Sequence, residues 1–420
     1  LQPLAFSALT SYQALASATG AGIAPNNLGN PELSPEISKE WEVGFTAGLI
    51  DDKVNLEFTY FDRVTEDALY ARQFPLSGGF RNTQLTNIGE LSAYGMEINL
   101  SGTVIRTQDL TLNLYVNGAY YRDQVVSLGG APPLKVGGSY PRYRNFLIEG
   151  EAPGANFGAK LLDVGANQLP VDIANSDGLP DTRDQLISYF TGQTPDTVGS
   201  VPTSIGTGSV LLADEDGDGD YLDHYLGKST PDWTGSFGGS LTYKNFTLST
   251  TFEYKAGNFV INNLTDAFRQ ANGAIGRNLP TSSRVVRDYA TGGVDGSFNP
   301  LNDPSVRVDA LDEWLNDTLA LAPFSGLNTL EKADYISWNE LSLNYQFTGS
   351  ILDSFGLETA SLGLSGRNIA IFTGYSGVDP RINFVGRGSG SNLDQNFGQG
   401  IAAFGWPVPR QAIITLKVGF

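Results

Sequence analysis

Strict alternation of apolar and polar residues over nine separate segments limits the fold of this 420-residue sequence more than any other feature. In the first segment, Trp41, Val43 and Phe45 alternate with Glu42 and Gly44. A period of two places successive side chains on opposite faces of a β-strand, so each segment predicts a strand with one apolar and one polar face. The nine segments lie at residues 40–50, 54–60, 94–104, 110–117, 233–243, 246–254, 341–347, 362–364 and 414–420.

The connections between these segments alternate between short and long. The short ones lie at 51–52, 106–109, 244–245 and 348–358, and the long ones at 71–88, 127–231, 262–334 and 373–408. Tight turns on one side and long loops on the other are typical of outer-membrane barrels, whose turns face the periplasm and whose loops face the outside. A further strand pair near 144–150 and 209–213 would preserve this order, so nine and eleven strands both remain open.

A soluble β-sandwich would also alternate, but two features favour a membrane. Strands of ten or more residues exceed the usual length of about 5–6, whereas about 9–11 residues suit a tilted crossing of a bilayer. Aromatic side chains also recur near strand ends, as membrane interfaces require. They are Trp41, Tyr60, Tyr120, Tyr243, Tyr254 and Phe347. We therefore predict an all-β fold, an antiparallel transmembrane β-barrel that contacts outer-membrane lipid.

Composition removes several classes of function. With 26 basic and 45 acidic residues the net charge is −19, which repels nucleic acid. The absence of cysteine excludes disulfides, thiol nucleophiles and cysteine-ligated zinc. The chain begins at Leu1 without a signal peptide and ends with Ile414, Leu416, Val418 and Phe420 at spacing two, which resembles the C-terminal assembly signal of outer-membrane barrels. We expect a C-terminal piece of a longer protein.

Three motifs in the first quarter carry a family resemblance. Residues 30–36 (NPELSPE), followed by 40–45 (EWEVGF), resemble the stretch that precedes a barrel strand in TonB-dependent receptors. Residues 60–69 (YFDRVTEDAL) are similar to a strand end of that family, and 86–89 (TNIG) with 94–97 (YGME) to its next hairpin. The motifs occur in the family's order.

Motifs in the second half resemble the SusC/RagA-like subgroup, whose members import glycans or peptides with a surface lipoprotein. These motifs are 227–233 (GKSTPDW), 335–345 (YISWNELSLNY), 366–368 (GRN), 373–380 (TGYSGVDP) and 407–410 (PVPR). Two positions depart from the subgroup's pattern. Trp338 stands near a place where a basic residue is common, and Arg381 follows Asp-Pro where a glutamate is usual.

The resemblance implies that residues 1–420 are the C-terminal part of one barrel domain, about half of a 22-stranded barrel. An N-terminal plug, the early strands and the TonB box would lie outside these residues. The implied function is active import of an oligosaccharide or peptide across the bacterial outer membrane, energised by the TonB complex and aided by a SusD-like lipoprotein. A passive porin or a structural barrel is the alternative. An enzyme is not expected.

One acidic segment has the spacing of a calcium loop. Asp214, Asp216, Asp218 and Asp220 alternate with other residues, and Gly219 stands at the sixth position. Carboxylate oxygens at alternate positions are the ligands that Ca²⁺ prefers, but Tyr225 occupies the twelfth position, where an EF-hand carries glutamate. A calcium site and a solvated acidic turn both remain open.

No residue pattern indicates catalysis. His224 is the only histidine, lacks a nucleophile-elbow motif, and is expected at the surface. Aromatic residues of the long loops are expected mainly to pack within those loops, although such rings can also stack on sugars or grip peptides. They are Tyr140, Tyr143, Phe146, Tyr189, Phe190, Tyr221, Tyr225, Phe324, Tyr375 and Phe384.

Overall fold

The computed structural model describes residues 7–17, 20–72, 84–136, 144–158, 224–257, 259–270, 274, 330–382 and 400–420. In chain order its elements are β1 (Ser11–Ser17), β2 (Gly20–Asn27), β3 (Ile37–Leu49), β4 (Val54–Arg72), β5 (Gln84–Arg106), β6 (Leu110–Ser127), β7 (Leu134–Lys135), β8 (Asn145–Leu147), β9 (Ala155–Gly158), β10 (His224–Gly227), β11 (Trp233–Tyr243), β12 (Phe246–Ala256), β13 (Val260–Asn263), α1 (Leu264–Gln270), β14 (Leu330–Lys332), β15 (Tyr335–Phe347), α2 (Ser350–Phe355), β16 (Thr359–Thr373), β17 (Ile401–Ala402) and β18 (Gln411–Gly419).

One nine-stranded antiparallel sheet dominates the fold, in the order β3-β4-β5-β6-β11-β12-β15-β16-β18. Every predicted alternating segment is a strand of this sheet, and each strand pairs with its neighbours in chain order, so this part of the prediction is confirmed. Within the described residues the sheet is open, with β3 and β18 as its edges. An antiparallel all-β sheet agrees with part of a barrel wall.

The eleven-strand alternative is wrong at its first segment. Residues 145–147 form β8, which belongs to a separate four-stranded sheet made of β7, β8, β9 and β10. The partner segment at 209–213 lies outside the described residues. β8 has three residues and pairs with two short strands, so it is far too short to cross a bilayer.

The short connections are tight turns at one end of the sheet. Ile50, Asp51 and Asp52 have φ values of 55°, 54° and 59°, which close the turn between β3 and β4. Neighbouring turns are joined by backbone hydrogen bonds, for example from Lys244 N to Asp109 O at 2.8 Å. Residues 348–358 are the longest of these short connections. They contain α2, whose C-cap residue Gly356 has a φ of 65°.

At the other end, some strands continue beyond the alternating segments. β4 runs to Arg72 and β5 begins at Gln84, so their connection spans 73–83 and is shorter than the predicted 71–88. Register shifts between Thr65 and Leu69 allow this, because a bulge restores pairing after the regular register ends. Strands of 19 and 23 residues therefore project past a bilayer crossing.

The buried core lies at this projecting end, in an outer layer of small sheets. The four-stranded sheet and a three-stranded sheet of β13, β14 and β17 make up this layer. One apolar cluster contains Tyr70, Val125, Leu128, Ala131 and Leu147. A second contains Phe259, Ile261, Ala333, Tyr335, Tyr375 and Ala402. Among the described residues, no helix has the length and apolar character needed to cross a membrane.

Candidate functional site

The nine-stranded sheet has one apolar face that suits lipid. The register places Val43 opposite Tyr60 and Phe45 opposite Phe58, so the apolar sets of adjacent strands share a face. Trp41, Val43 and Phe45 are each more than half exposed. Large apolar side chains exposed over a whole sheet face mark contact with another apolar phase, here the hydrocarbon of a membrane.

Aromatic rings bound this face at both ends, as predicted. Near the outer layer the ring pairs are Trp41–Tyr60 at 5.3 Å, Tyr94–Tyr120 at 6.2 Å and Tyr120–Trp233 at 4.9 Å. Near the tight turns they are Phe246–Tyr345 at 4.5 Å and Tyr345–Phe347 at 5.0 Å. The unusual Trp338 belongs to the same face, where it stacks on Phe252 at 5.5 Å, so an aromatic side chain fits that position.

The opposite face carries a ladder of amides and hydroxyls that bond across strands. The bonds are Thr103 Oγ1 to Asn113 Oδ1 at 2.8 Å, Asn117 Nδ2 to Ser236 Oγ at 2.9 Å, and Tyr115 Oη to Thr251 Oγ1 at 3.1 Å. These polar groups are satisfied by each other yet stay partly exposed. A face of this kind suits the water-filled side of a barrel wall.

Charged groups on the polar face are paired near its outer end. Arg63 lies 3.6 Å from Glu40, and Arg367 lies 3.5 Å from Glu340. Glu253 accepts hydrogen bonds from Asn339 Nδ2 at 3.0 Å and from a tyrosine hydroxyl at 3.3 Å. The polar face therefore offers both signs of charge to a solute.

Two aromatic rings lie on the polar face, at positions where no motif predicted a site. Phe61 and Tyr121 are both opposite Gly95, and their ring centroids are 6.3 Å apart. A Cβ at Gly95 would lie 2.6 Å from Phe61 Cζ, so the ring needs a glycine beneath it. Both residues occupy polar positions of the alternation, which is the signal that could have identified them.

A cavity of about 370 Å³ adjoins Tyr121, one of these two residues. Its walls include Ser38, Arg63, Thr65, Tyr121 and Asp123 from the sheet, and Pro153 and Thr230 from the outer layer. Oδ1 of Asp123 is buried and has no hydrogen-bond partner among the described residues. The cavity thus combines a cation, an orphan acceptor and hydroxyl groups.

The segment after β16 is held by an arginine–aspartate pair. Arg381 Nε and Nη2 donate to the two carboxylate oxygens of Asp379 at 3.0 and 2.9 Å, and Arg381 Nη1 donates to Ser337 Oγ at 3.2 Å. Burial raises the pKa of Asp379, but these bonds to Arg381 outweigh burial and hold its pKa below the ordinary value. Arg381, the unusual residue of the motif, therefore folds back on Asp379, two residues before it.

A second ion pair is buried where the small sheets meet the large one. Lys228 Nζ lies 2.6 Å from Asp232 Oδ1, and the two side chains are 5% and 9% exposed. Lys228 O also accepts a hydrogen bond from Val260 N, and Ser229 Oγ accepts one from Asn156 Nδ2. The predicted motif at 227–233 thus joins β9, β10, β11 and β13.

The sequence-predicted site residues have mixed outcomes. Asp214, Asp216, Asp218 and Asp220 lie outside the described residues, so the calcium loop stays a prediction. The expectation for His224 is wrong, because it begins β10, pairs with Gly158 and is buried. In the part of the chain that the structure describes, no three acidic or histidine side chains form a metal-binding group.

The loop aromatics that the structure describes pack within the outer layer, as expected. Phe157 lies between Phe146 and Tyr225, with centroids 6.2 and 5.7 Å away. Tyr375 is buried, and burial raises the pKa of its hydroxyl. Outside the described residues lie Tyr140, Tyr143, Tyr189, Phe190, Tyr221, Phe324 and Phe384.

Several known proteins are similar to this chain in sequence. The model of the outer membrane protein beta-barrel family matches residues 26–140. TonB-dependent receptor P3 of Formosa agariphila is 26% identical over 377 residues, which cover 86% of this chain and 32% of the relative. TonB-dependent receptor SusC of Bacteroides thetaiotaomicron is 28% identical over 101 residues, which cover 24% of this chain and 10% of the relative. The chain spans about a third of the length of the P3 receptor that it matches.

The solved structure of the RagAB peptide importer in its closed-closed state has the same fold. The matched region covers 98% of this chain and 38% of the importer chain, with a TM-score of 0.61 and 18% sequence identity. The chain is thus similar in sequence to TonB-dependent receptors over most of its length, and it shares its fold with part of the RagAB importer. In an outer-membrane β-barrel, the apolar face of this sheet would suit lipid and its polar face the interior. These relatives are named as receptors or importers, in line with the expectation that an enzyme is not present.

Proposed function

We propose that this receptor takes part in active import of a bulky nutrient, an oligosaccharide or a peptide, with energy supplied through TonB. The proposal rests on the difference between the two faces of the nine-stranded sheet. An apolar face lies between two aromatic girdles, and the opposite face is lined with amides, hydroxyls and paired charges. A polar solute can pass along such a face inside a barrel. The fold shared with a peptide importer supports the proposal.

In the proposed arrangement, the nine strands are the C-terminal part of one 22-stranded barrel. A plug and a TonB box belong to an N-terminal part, and plug movement opens the path. The outer layer of small sheets is the region that a SusD-like surface lipoprotein would contact, because it lies opposite the short turns, which face the periplasm in such barrels. The RagAB complex, whose fold this chain shares, supports such a partner.

Uptake measured with and without TonB tests the proposal. Cells that produce the full-length receptor are given fluorescent oligosaccharides or peptides, and accumulation is compared with a strain that lacks TonB. We expect accumulation that disappears without TonB. A passive porin would let the same solutes equilibrate in both strains, and that outcome would reject active import.

A further inference from the structure

We propose that Phe61, Tyr121, Arg63 and Asp123 form a carbohydrate-binding subsite on the inner face of the barrel wall, which takes one pyranose unit of a neutral oligosaccharide. The inference rests on the proposed function, since it assigns the nutrient's chemical class. It depends on two observations: an aromatic platform, and a polar cavity directly beside it.

The platform is formed by Phe61 on β4 and Tyr121 on β6, with Gly95 of β5 between them. The ring planes are inclined by 31°, and both side chains remain partly exposed. Gly95 leaves the space that the Phe61 ring fills, so this ring lies against the wall. An apolar ring face on a polar wall matches the C–H face of a sugar ring.

Phe61 differs from the tyrosines of the polar face, including Tyr121, whose hydroxyl is hydrogen-bonded to Arg63. The hydroxyls of Tyr115 and Tyr335 bond to Thr251 and Glu253, and burial in the apolar cluster holds the Tyr335 ring. The Phe61 ring has no polar group to satisfy, so its partial exposure on this face is not explained by hydrogen bonding. Contact with a ligand that has an apolar face would cover it.

The cavity supplies the polar half of the subsite. Asp123 Oδ1 is a buried acceptor without a partner in the described part of the chain, and Arg63 supplies N–H donors beside it. Ser38 and Thr65 hydroxyls bond to each other at 2.8 Å on the same wall. A sugar hydroxyl can donate to Asp123 and accept from Arg63 at once, which satisfies the orphan acceptor.

A sugar fits these groups better than a peptide does. An extended peptide usually binds by adding to a free strand edge, but β4, β5 and β6 are paired on both sides. The carboxylate of Asp123 and the guanidinium of Arg63 lie together, so the cavity has no excess of one charge to favour an ionic side chain. Adjacent hydroxyls beside a flat apolar surface are the matching chemistry.

Binding to the purified full-length receptor in detergent tests the subsite. Isothermal titration uses maltoheptaose, cellohexaose, laminarihexaose, mannohexaose and xylohexaose, and a tryptone peptide mixture in parallel. We expect at least one oligosaccharide to bind, and Phe61→Leu, Tyr121→Leu and Asp123→Asn each to raise its Kd about tenfold or more, about 1.4 kcal/mol. Tyr121→Phe should keep most of the affinity.

Phe58→Leu is the matched control. Phe58 lies on the same strand as Phe61 but on the lipid face, where it pairs with Phe45 at 5.7 Å. Its substitution should leave the Kd unchanged, and heat-modifiable gel mobility should show that every variant is folded. Failure of all five oligosaccharides to bind, binding of peptides alone, or equal Kd values in site and control variants would each overturn the subsite.

The two proposals fail in different ways. If an oligosaccharide binds with the expected variant pattern but enters cells without TonB, active import is wrong and the subsite stands. If uptake requires TonB but only peptides are bound, the subsite is wrong and active import stands.

Discussion

At the scale of single residues, burial decides what an ion pair contributes. Lys228–Asp232 and Lys39–Glu66 have the same separation of 2.6 Å, but the first pair is 5% and 9% exposed and the second 64% and 45%. An exposed pair competes with water and contributes about 0–1 kcal/mol. A buried pair whose partner is removed leaves an uncompensated charge, which costs about 3–5 kcal/mol.

We therefore expect Lys228→Met to lower the free energy of unfolding of the full-length receptor by about 3 kcal/mol. Lys39→Met, the matched exposed control, should change it by less than about 1 kcal/mol. Urea unfolding in detergent, followed by tryptophan fluorescence, measures both. Equal losses in the two variants would contradict the role of burial, and Lys228→Met with Asp232→Leu should recover part of the loss.

Residue burial was the least predictable property from sequence. His224 lies in a polar loop sequence, yet it is buried because β10 pairs with β9 across a separation of 66 positions, between Gly158 and His224. No local pattern reports such a pairing. Similarly, alternation assigns Phe61 and Tyr121 to a polar face, but only the strand register brings both rings to Gly95.

At the scale of elements, period-two alternation predicted all nine strands because each face meets a different environment over its whole length. The small strands of the outer layer were not predicted, since strands of two to four residues carry too few positions for a period to appear. The ends of β4 and β5 were also misplaced. A bulge shifts the alternation beyond Thr65, so the pattern fades where the strands continue.

A positive charge introduced on β6 should destabilise the protein more on one face of the strand than on the other. Val116 lies on the lipid face between Leu100 and Phe237, and Asn117 lies on the polar face beside Ser236. Val116→Arg should destabilise the barrel by about 2–4 kcal/mol, since it places a cation near the middle of the hydrocarbon. Asn117→Arg should cost less, about 1–2 kcal/mol, because it removes the hydrogen bonds that Asn117 exchanges with Ser236.

Urea titration of the full-length receptor in lipid vesicles compares the two variants with the unaltered protein. The adjacent positions share one depth in the membrane, so depth cannot explain a difference. A smaller loss for Val116→Arg than for Asn117→Arg would show that the faces are assigned the wrong way round.

At the scale of the whole molecule, the tight turns and the outer layer lie at opposite ends of the sheet, which predicts its orientation in the membrane. All tight turns lie at one end of the sheet, and the small sheets with their buried clusters lie at the other. In outer-membrane barrels the short turns face the periplasm. The outer layer should then face the cell exterior.

Cysteine labelling in intact cells tests this direction, because the chain has no cysteine of its own. Gln108→Cys lies in a tight turn, and Pro133→Cys lies in the outer layer; both positions are exposed. A membrane-impermeant maleimide should label Pro133→Cys in intact cells and Gln108→Cys only after the outer membrane is opened. The unaltered receptor reports any cysteine elsewhere in the protein, and the reverse order of labelling would invert the assignment.

The unequal connections also affect how readily this protein can change. Tight turns such as Lys244-Asn245 fix the register of the strands that they join, so an inserted residue there would shift a strand by one position and exchange its faces. The connection from β6 to β11 instead spans more than a hundred positions. Because each doubling of loop length costs only about 0.6 kcal/mol, insertions between the small strands on that side should leave the pairing of the nine strands intact. Related chains can therefore diverge in the outer layer while the nine-stranded sheet keeps its register.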